Sequence, residues 1–261
     1  MNFELPFIPV RETKPREKGL TMMMDKGLSI REAENFCESS GDFTDLVKFG
    51  FGTAVFSKGI REKIRVYTSA GIQPYFGGTF FEIFYIRGMF DAFRRLVDDY
   101  QLEVAEISDG SIKIPVEDKL RHIEMLSKQV RVLSEVGSKV AGVELSDEKW
   151  LSSMDQELRA GAWKVIAEAR ESGTAGIFNS DCSANKGLIE LIIEKIGPEK
   201  VLWEAPNKPQ QAWFIKLLGA DVNLGNIATH EVVALEALRL GLRGDTFFEF
   251  LPKQLYSFKQ I

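Results

Sequence analysis

Eight short apolar runs, each followed by a longer amphipathic segment, fill 261 residues and predict a (β/α)8 barrel. The runs are nearly continuous in apolar residues, as strands of a parallel sheet buried on both faces must be. Several of them end in charge. In "KVIAEARESG" (164–173), Val165 to Ala167 run straight into Glu168, Arg170 and Glu171. Burying such an end is costly unless the charges have partners or chemistry to perform. In this fold the C-terminal strand ends carry the active site.

The units follow one another in order. "LTMMMD" (20–25) precedes "SIREAENFCESS" (29–40), and "DLVKFG" (45–50) precedes "KGIREKIRVYTSAG" (58–71). "IQPYFGG" (72–78) leads into one long helical segment, 80–100, and "EVAEISDG" (103–110) into 116–130. "RVLSEVG" (131–137) is followed by 146–161, the 164–173 run by 184–197, "VLWEAP" (201–206) by 209–219, and "DVNLGN" (221–226) by 229–241. The helical segments repeat apolar residues at three- and four-residue spacing, as at Ile189, Ile192, Ile193 and Ile196. Expected stops are Gly71, Gly161, Gly197, Gly219 and Gly241. Expected N-caps are Ser29, Ser146 and Thr229, each with an acid two or three residues later. An open doubly wound sheet, the competing architecture, needs a G-x-G-x-x-G loop after its first strand, and none stands there. Residues 1–261 are read as a single barrel domain. Residues 1–18 form a polar lead-in, and 245–261 an aromatic tail that packs under the barrel or on another subunit, favouring a homo-oligomer.

Apolar residues make up 44% and charged residues 27% of the chain, an ordinary balance for a soluble globular protein. The net charge of −5 comes without a basic block, which argues against nucleic acid and anionic membrane as partners. No window holds 18 consecutive apolar residues, and the N-terminus lacks a signal-peptide core. Cys37 and Cys182 make neither a disulfide framework nor a metal knuckle, so a reducing cytoplasm is the expected location.

Taken in order, the strand ends present Asp25, Lys48, Tyr75, Glu106, Glu135, Glu168, Glu204 and Asn223. The loops beyond them add Lys26, Asp109, Lys139, Arg170, Glu171, Asn207 and Asn226. So many carboxylates at one mouth need a neutralising partner. A divalent metal would serve, and oxygen ligands select magnesium over zinc. The plainer alternative is a salt-bridge ring in which Lys48 and Arg170 neutralise Glu106. His122 and His230 fall on helical segments and are read as packing or surface residues. Glycines also gather past the strand ends, in "FGFGT" (49–53), "GGT" (77–79) and "NLGNIATHE" (223–231). Gly77-Gly78-Thr79 and Gly225-Asn226 can bring backbone N–H groups close to an anion, or can serve turns alone.

"GLTMMMDKG", "KFGFGT", "GGT", "EISDG", "SEVGSK", "EARESG", "WEAP", "NLGNI" and "LRLGLRGDT" occur in this order between residues 11 and 247. As a set they closely resemble the phosphosulfolactate synthase family. The resemblance implies a (β/α)8 barrel and magnesium-dependent addition of sulfite to phosphoenolpyruvate, giving (2R)-phospho-3-sulfolactate. That is a carbon–sulfur lyase reaction, which in methanogens begins one route to coenzyme M. Lys139, in "SEVGSK", matches the family's candidate general acid. By the same resemblance Glu106, Glu135 and Glu168 form the magnesium shell, directly or through water. Lys26, Lys48 and Arg170 then bind carboxylate, sulfite or phosphate, and Gly225 and Asn226 form a phosphate loop that Arg243 can join.

The chain departs from the family pattern at three positions. Phe51 stands where the pattern has tryptophan, Ala54 where it has serine, and Ser138 where it has a second lysine. Loss of a lysine and a hydroxyl near the mouth leaves two alternatives open. One is a related barrel enzyme acting on another phosphorylated enol or hydroxy acid. The other is a non-catalytic stress-related scaffold.

Overall fold

The computed structural model describes residues 3–139 and 145–259. Eight parallel strands form the barrel: β1 (Thr21–Asp25), β2 (Leu46–Phe49), β3 (Gln73–Phe76), β4 (Val104–Ile107), β5 (Arg131–Val136), β6 (Lys164–Ala167), β7 (Val201–Glu204) and β8 (Leu224–Ile227). Around them lie α1 (Ile30–Ser40), α2 (Ile60–Ser69), α3 (Gly78–Tyr85), α4 (Phe90–Asp99), α5 (Val116–Leu126), α6 (Asp147–Arg159), α7 (Lys186–Lys195), α8 (Lys208–Leu218) and α9 (Val232–Arg239). The hydrogen-bonded order is β3-β2-β1-β8-β7-β6-β5-β4. The ring is nearly closed, and its seam lies between β3 and β4. Two ties span the seam: Gln73 Nε2 donates to Glu103 Oε2 at 2.8 Å, and the Gly78 N–H donates to Glu106 Oε1 at 2.5 Å.

Side chains alternate across each strand, and this alternation builds the mouth. Met22, Leu46, Tyr75, Val104, Leu133, Ile166 and Leu202 pack together as an apolar layer inside the barrel. Two residues further along five of those strands stand Lys48, Glu106, Glu135, Glu168 and Glu204, all buried. A dry floor thus lies directly beneath a charged layer. The residues between them, such as Val47, Ala105, Ala167 and Trp203, join the core beneath the helices.

Local signals explain most element ends. Ser29 closes a capping box with Glu32, and the Ser146 side chain accepts from the Lys149 N–H. All five expected stop glycines take positive φ. Three expectations fail. Thr229 does not cap α9 with its side chain; Thr229–Glu231 forms a 3-10 turn and α9 starts after it. The segment 80–100 is two helices, because Gly88 turns left-handed at φ 65 between α3 and α4. Asn223 is not at a mouth: β8 begins after it, and its side chain bonds the Leu20 N–H and the Glu199 and Val201 carbonyls at the opposite end.

The lead-in does more than precede the barrel. Arg11 bonds Asp221 at 2.9 Å and Glu236 at 3.0 Å, Arg16 bonds Asp45 at 2.9 Å, and Lys14 donates to three backbone carbonyls. With the fully buried Arg239, which donates to the carbonyls of Leu20, Ala220 and Val222, these residues close the end away from the mouth. In the tail, Phe250 packs against the core while Phe258 is exposed. No helix among the described residues is long and apolar enough to cross a membrane.

His122 is buried on α5 with its ring 4.0 Å from that of Phe90, and its Nδ1 has no partner. Burial, then the nearby Arg121, lowers its pKa. The unfolded chain therefore takes a proton near the ordinary histidine value of about 6.5 that the folded chain accepts only at lower pH. Stability should fall as pH drops through that value, and His122→Phe should flatten the fall in denaturant titrations between pH 7 and 5. An unchanged slope would show that His122 is not its source.

Candidate active site

Lys48, near the end of β2, lies at the centre of the charged layer. Its Nζ is 3.0 Å from Glu106 Oε1, 3.4 Å from Glu204 Oε1 and 3.5 Å from Glu135 Oε2. Burial works to lower its pKa, but Glu106, Glu204 and Glu135 outweigh burial and hold it well above the ordinary lysine value. Lys139, in the loop after β5, lies 2.5 Å from Glu135 Oε1 and 3.8 Å from Glu168 Oε2. Burial pulls it down as well, and Glu135 and Glu168 raise it further than burial lowers it. Both lysines are ammonium ions at neutral pH.

The acids differ according to how many cations they face. Burial would raise Glu135, but Lys139 and Lys48 hold its carboxyl well below the usual range. Burial pushes Glu204 up to about 7 against the pull of Lys48. Glu168 rises well above its ordinary value through burial and the charges of Glu135 and Glu204. Glu106 rises through burial, which the nearby Lys48 only partly offsets. Oxygens of Glu135, Glu168 and Glu204 lie within 4.8 Å of one another. Glu168 Oε2 is buried with no hydrogen-bond partner. Three converging carboxyl groups, one with a buried oxygen that accepts no hydrogen bond, suit a hard divalent cation such as magnesium.

These groups open into a cavity of about 170 Å³ lined by Lys48, Lys139, Glu168, Arg170, Glu204 and Asn226, with Met24, Phe51, Thr79, Ala169 and Glu171. A larger cavity of about 580 Å³ lies beside it, between the β4–α5 loop and α6. Its walls are mostly apolar, with Ile112, Ile114, Leu120 and Leu145 among them. Bond-making chemistry needs the converging charges, and those are in the smaller cavity.

The β4–α5 loop fixes Lys139 from behind. Ser108 Oγ lies 2.7 Å from Glu135 Oε1 and 2.8 Å from Glu82 Oε1, and the Lys139 N–H donates to the Gly110 carbonyl at 2.8 Å. A Cβ on Gly110 would come 3.0 Å from Glu135 Oε1 and 3.1 Å from Lys139 Cδ. Lys119 reinforces the same place from α5, donating at 2.7 Å both to Asp109 and to the Glu135 carbonyl, and pairing with Glu157 at 2.8 Å.

A family model described as (2R)-phospho-3-sulfolactate synthase (ComA) matches residues 9–245. The chain belongs to this family. It is 41% identical to the phosphosulfolactate synthase of Bacillus subtilis over 92% of this chain and 97% of that one. It is 39% identical to the phosphosulfolactate synthase of Methanothermobacter thermautotrophicus over 91% of this chain and 95% of that one. Among solved structures, 3-hexulose-6-phosphate synthase from Salmonella typhimurium superposes with a TM-score of 0.56 at 14% identity, covering 86% of this chain and all of that one. That likeness shows the barrel fold. The chain is an enzyme of the phosphosulfolactate synthase family.

The residues expected from the sequence divide into those at the cavity and those away from it. Lys139, Glu168, Lys48, Arg170 and Asn226 line it, and Glu135 lies against Lys139 and Lys48. Glu106 does not join the three-carboxylate cluster. Its Oε1 is taken by Lys48 and the Gly78 N–H, so the "GGT" turn has already spent that N–H on a protein carboxylate. Arg170 donates to the Lys139 carbonyl, and Lys26 pairs with Glu171 at the rim, 5.7 Å above the Phe51 ring. Gly225 sits over the floor, where a Cβ would meet Met22 Cε at 2.8 Å, and it does not line the cavity. Arg243 is also absent from the lining: it follows α9, whose last residue, Arg239, is anchored at the far end. Asp25 is occupied by Lys63 at 2.8 Å and Tyr67 at 2.9 Å. Glu204, Ser108 and Glu82 were not singled out from the sequence, although Glu204 was visible as a strand-end acid.

Lys48→Met should cost about 3–5 kcal/mol at pH 8, because buried carboxylates lose their shared counter-charge. The remaining acids would keep protons in the folded state that the unfolded chain has released, so the loss should shrink toward pH 5. Equal destabilisation at both pH values in urea titrations would show that Lys48 does not set the charge balance.

Proposed function

We propose that this enzyme adds sulfite to the methylene carbon of phosphoenolpyruvate, giving (2R)-phospho-3-sulfolactate, with magnesium held by Glu135, Glu168 and Glu204. Membership of the family supports the reaction class. The observation that carries the residue roles is Lys139 at the cavity, held as an ammonium 2.5 Å from Glu135.

In this reading the sulfite sulfur donates its lone pair to form the carbon–sulfur bond. The carbon–carbon π pair moves onto the substrate carboxylate. A proton then ends on the carbon that bears phosphate, and Lys139 Nζ is its donor. Arg170, at the cavity edge, and Lys26, at the rim, supply positive charge for the substrate's anionic groups. Glu135 and Glu168 keep Lys139 charged and aimed, so no reorganisation is needed when the carbon becomes basic. Met24, Phe51 and Ala169 supply apolar wall that keeps water from the reacting carbon. Magnesium in the carboxylate cluster would stabilise the negative charge that builds on the substrate carboxylate.

Lys139→Ala should lower turnover of phosphoenolpyruvate with sulfite by about 10²–10⁴-fold while the circular dichroism spectrum stays that of the wild type. A folded variant with near-wild-type turnover would remove Lys139 from the proton-donor role.

A further inference from the structure

Strand β8 carries one more residue than the partner beside it. Thr21 of β1 pairs with Leu224 and Met23 with Ile227, so a two-residue step on β1 faces a three-residue step on β8. Within that step Asn226 takes φ 58, a left-handed backbone that glycine adopts without strain and other residues adopt at a cost. Bulges beside active sites re-aim side chains. Gly225 pairs with Glu204 and lies over the interior floor, so strict alternation would turn Asn226 outward to the helices. Asn226 lines the cavity with Glu168 and Glu204 instead.

Its amide is oriented by chemistry. Nδ2 donates to the Ala169 carbonyl at 3.3 Å, while Glu204 Oε2 accepts from the Ala169 N–H at 2.9 Å. Exchanging the amide atoms would set two carbonyl oxygens against each other. Oδ1 is therefore the atom left over, and it is buried with no hydrogen-bond partner. Glu168 Oε2, in the same cavity, is a second buried oxygen with no hydrogen-bond partner.

We propose that Asn226 Oδ1 is a neutral oxygen ligand of the cation at the Glu135–Glu168–Glu204 cluster, an inference that rests on the cation reading above. Hard divalent cations accept asparagine carbonyl oxygens alongside carboxylates. The ends of three consecutive strands, β6, β7 and β8, then contribute Glu168, Glu204 and Asn226. An amide adds a ligand without adding negative charge to a crowded cluster.

Manganese(II) is the probe, titrated into the purified full chain with the free ion followed by electron paramagnetic resonance. Asn226→Gly suits the left-handed backbone and removes the oxygen. It should weaken manganese binding about tenfold or more, with an unchanged or higher Tm. Wild-type affinity in Asn226→Gly would overturn the proposal while leaving the carboxylate site standing. A wild-type chain that binds no manganese would remove the cation reading and the proposal with it.

Discussion

Lys48 places one ammonium among three buried carboxylates, at 3.0 Å from Glu106, 3.4 Å from Glu204 and 3.5 Å from Glu135. None of these charges could stay buried alone, since removing one partner leaves the others unpaired in a poorly solvated interior. The arrangement is forced by the strand period. Once Leu46, Val104, Leu133 and Leu202 pack inward, the next inward position on each of those strands is Lys48, Glu106, Glu135 or Glu204. The apolar floor and the charged mouth are thus one feature of the fold.

Four carboxyl groups, Glu106, Glu135, Glu168 and Glu204, face two ammonium groups, Lys48 and Lys139. Glu135 pairs with both ammonium groups and is held low, whereas Glu106, Glu168 and Glu204 each pair with one and are pushed upward by burial. That surplus of carboxyl groups is what supports the proposed cation at the mouth. The supports behind Lys139 matter for the same reason. Ser108, Gly110 and Lys119 fix the Glu135–Lys139 pair through the β4–α5 loop, so the geometry exists before any substrate arrives.

Much of this was legible in the chain. Apolar runs ending in acid placed Glu106, Glu135 and Glu168 at strand ends without any knowledge of pairing, because the two-residue period and the fold's polarity suffice. The failures share one cause: they depend on contacts between distant segments. Asn223 could be set at the mouth only by ignoring the bonds to Leu20 and Val201 that draw it to the other end. The Gly78 N–H looked available until the β3–β4 seam brought Glu106 to it. The side-chain direction of Asn226 was hidden in the same way, because the bulge that turns it is defined only by the register with β1. The single helix expected over 80–100 yielded to Gly88, a local signal overlooked because the apolar pattern continues past it.

The most direct test follows the phosphorus spectrum of the purified protein with phosphoenolpyruvate, sulfite and magnesium, and again with each left out. The account predicts a new phosphate ester signal that grows only when all three are present. A product that forms without sulfite, or at full rate after removal of divalent metal, would contradict it.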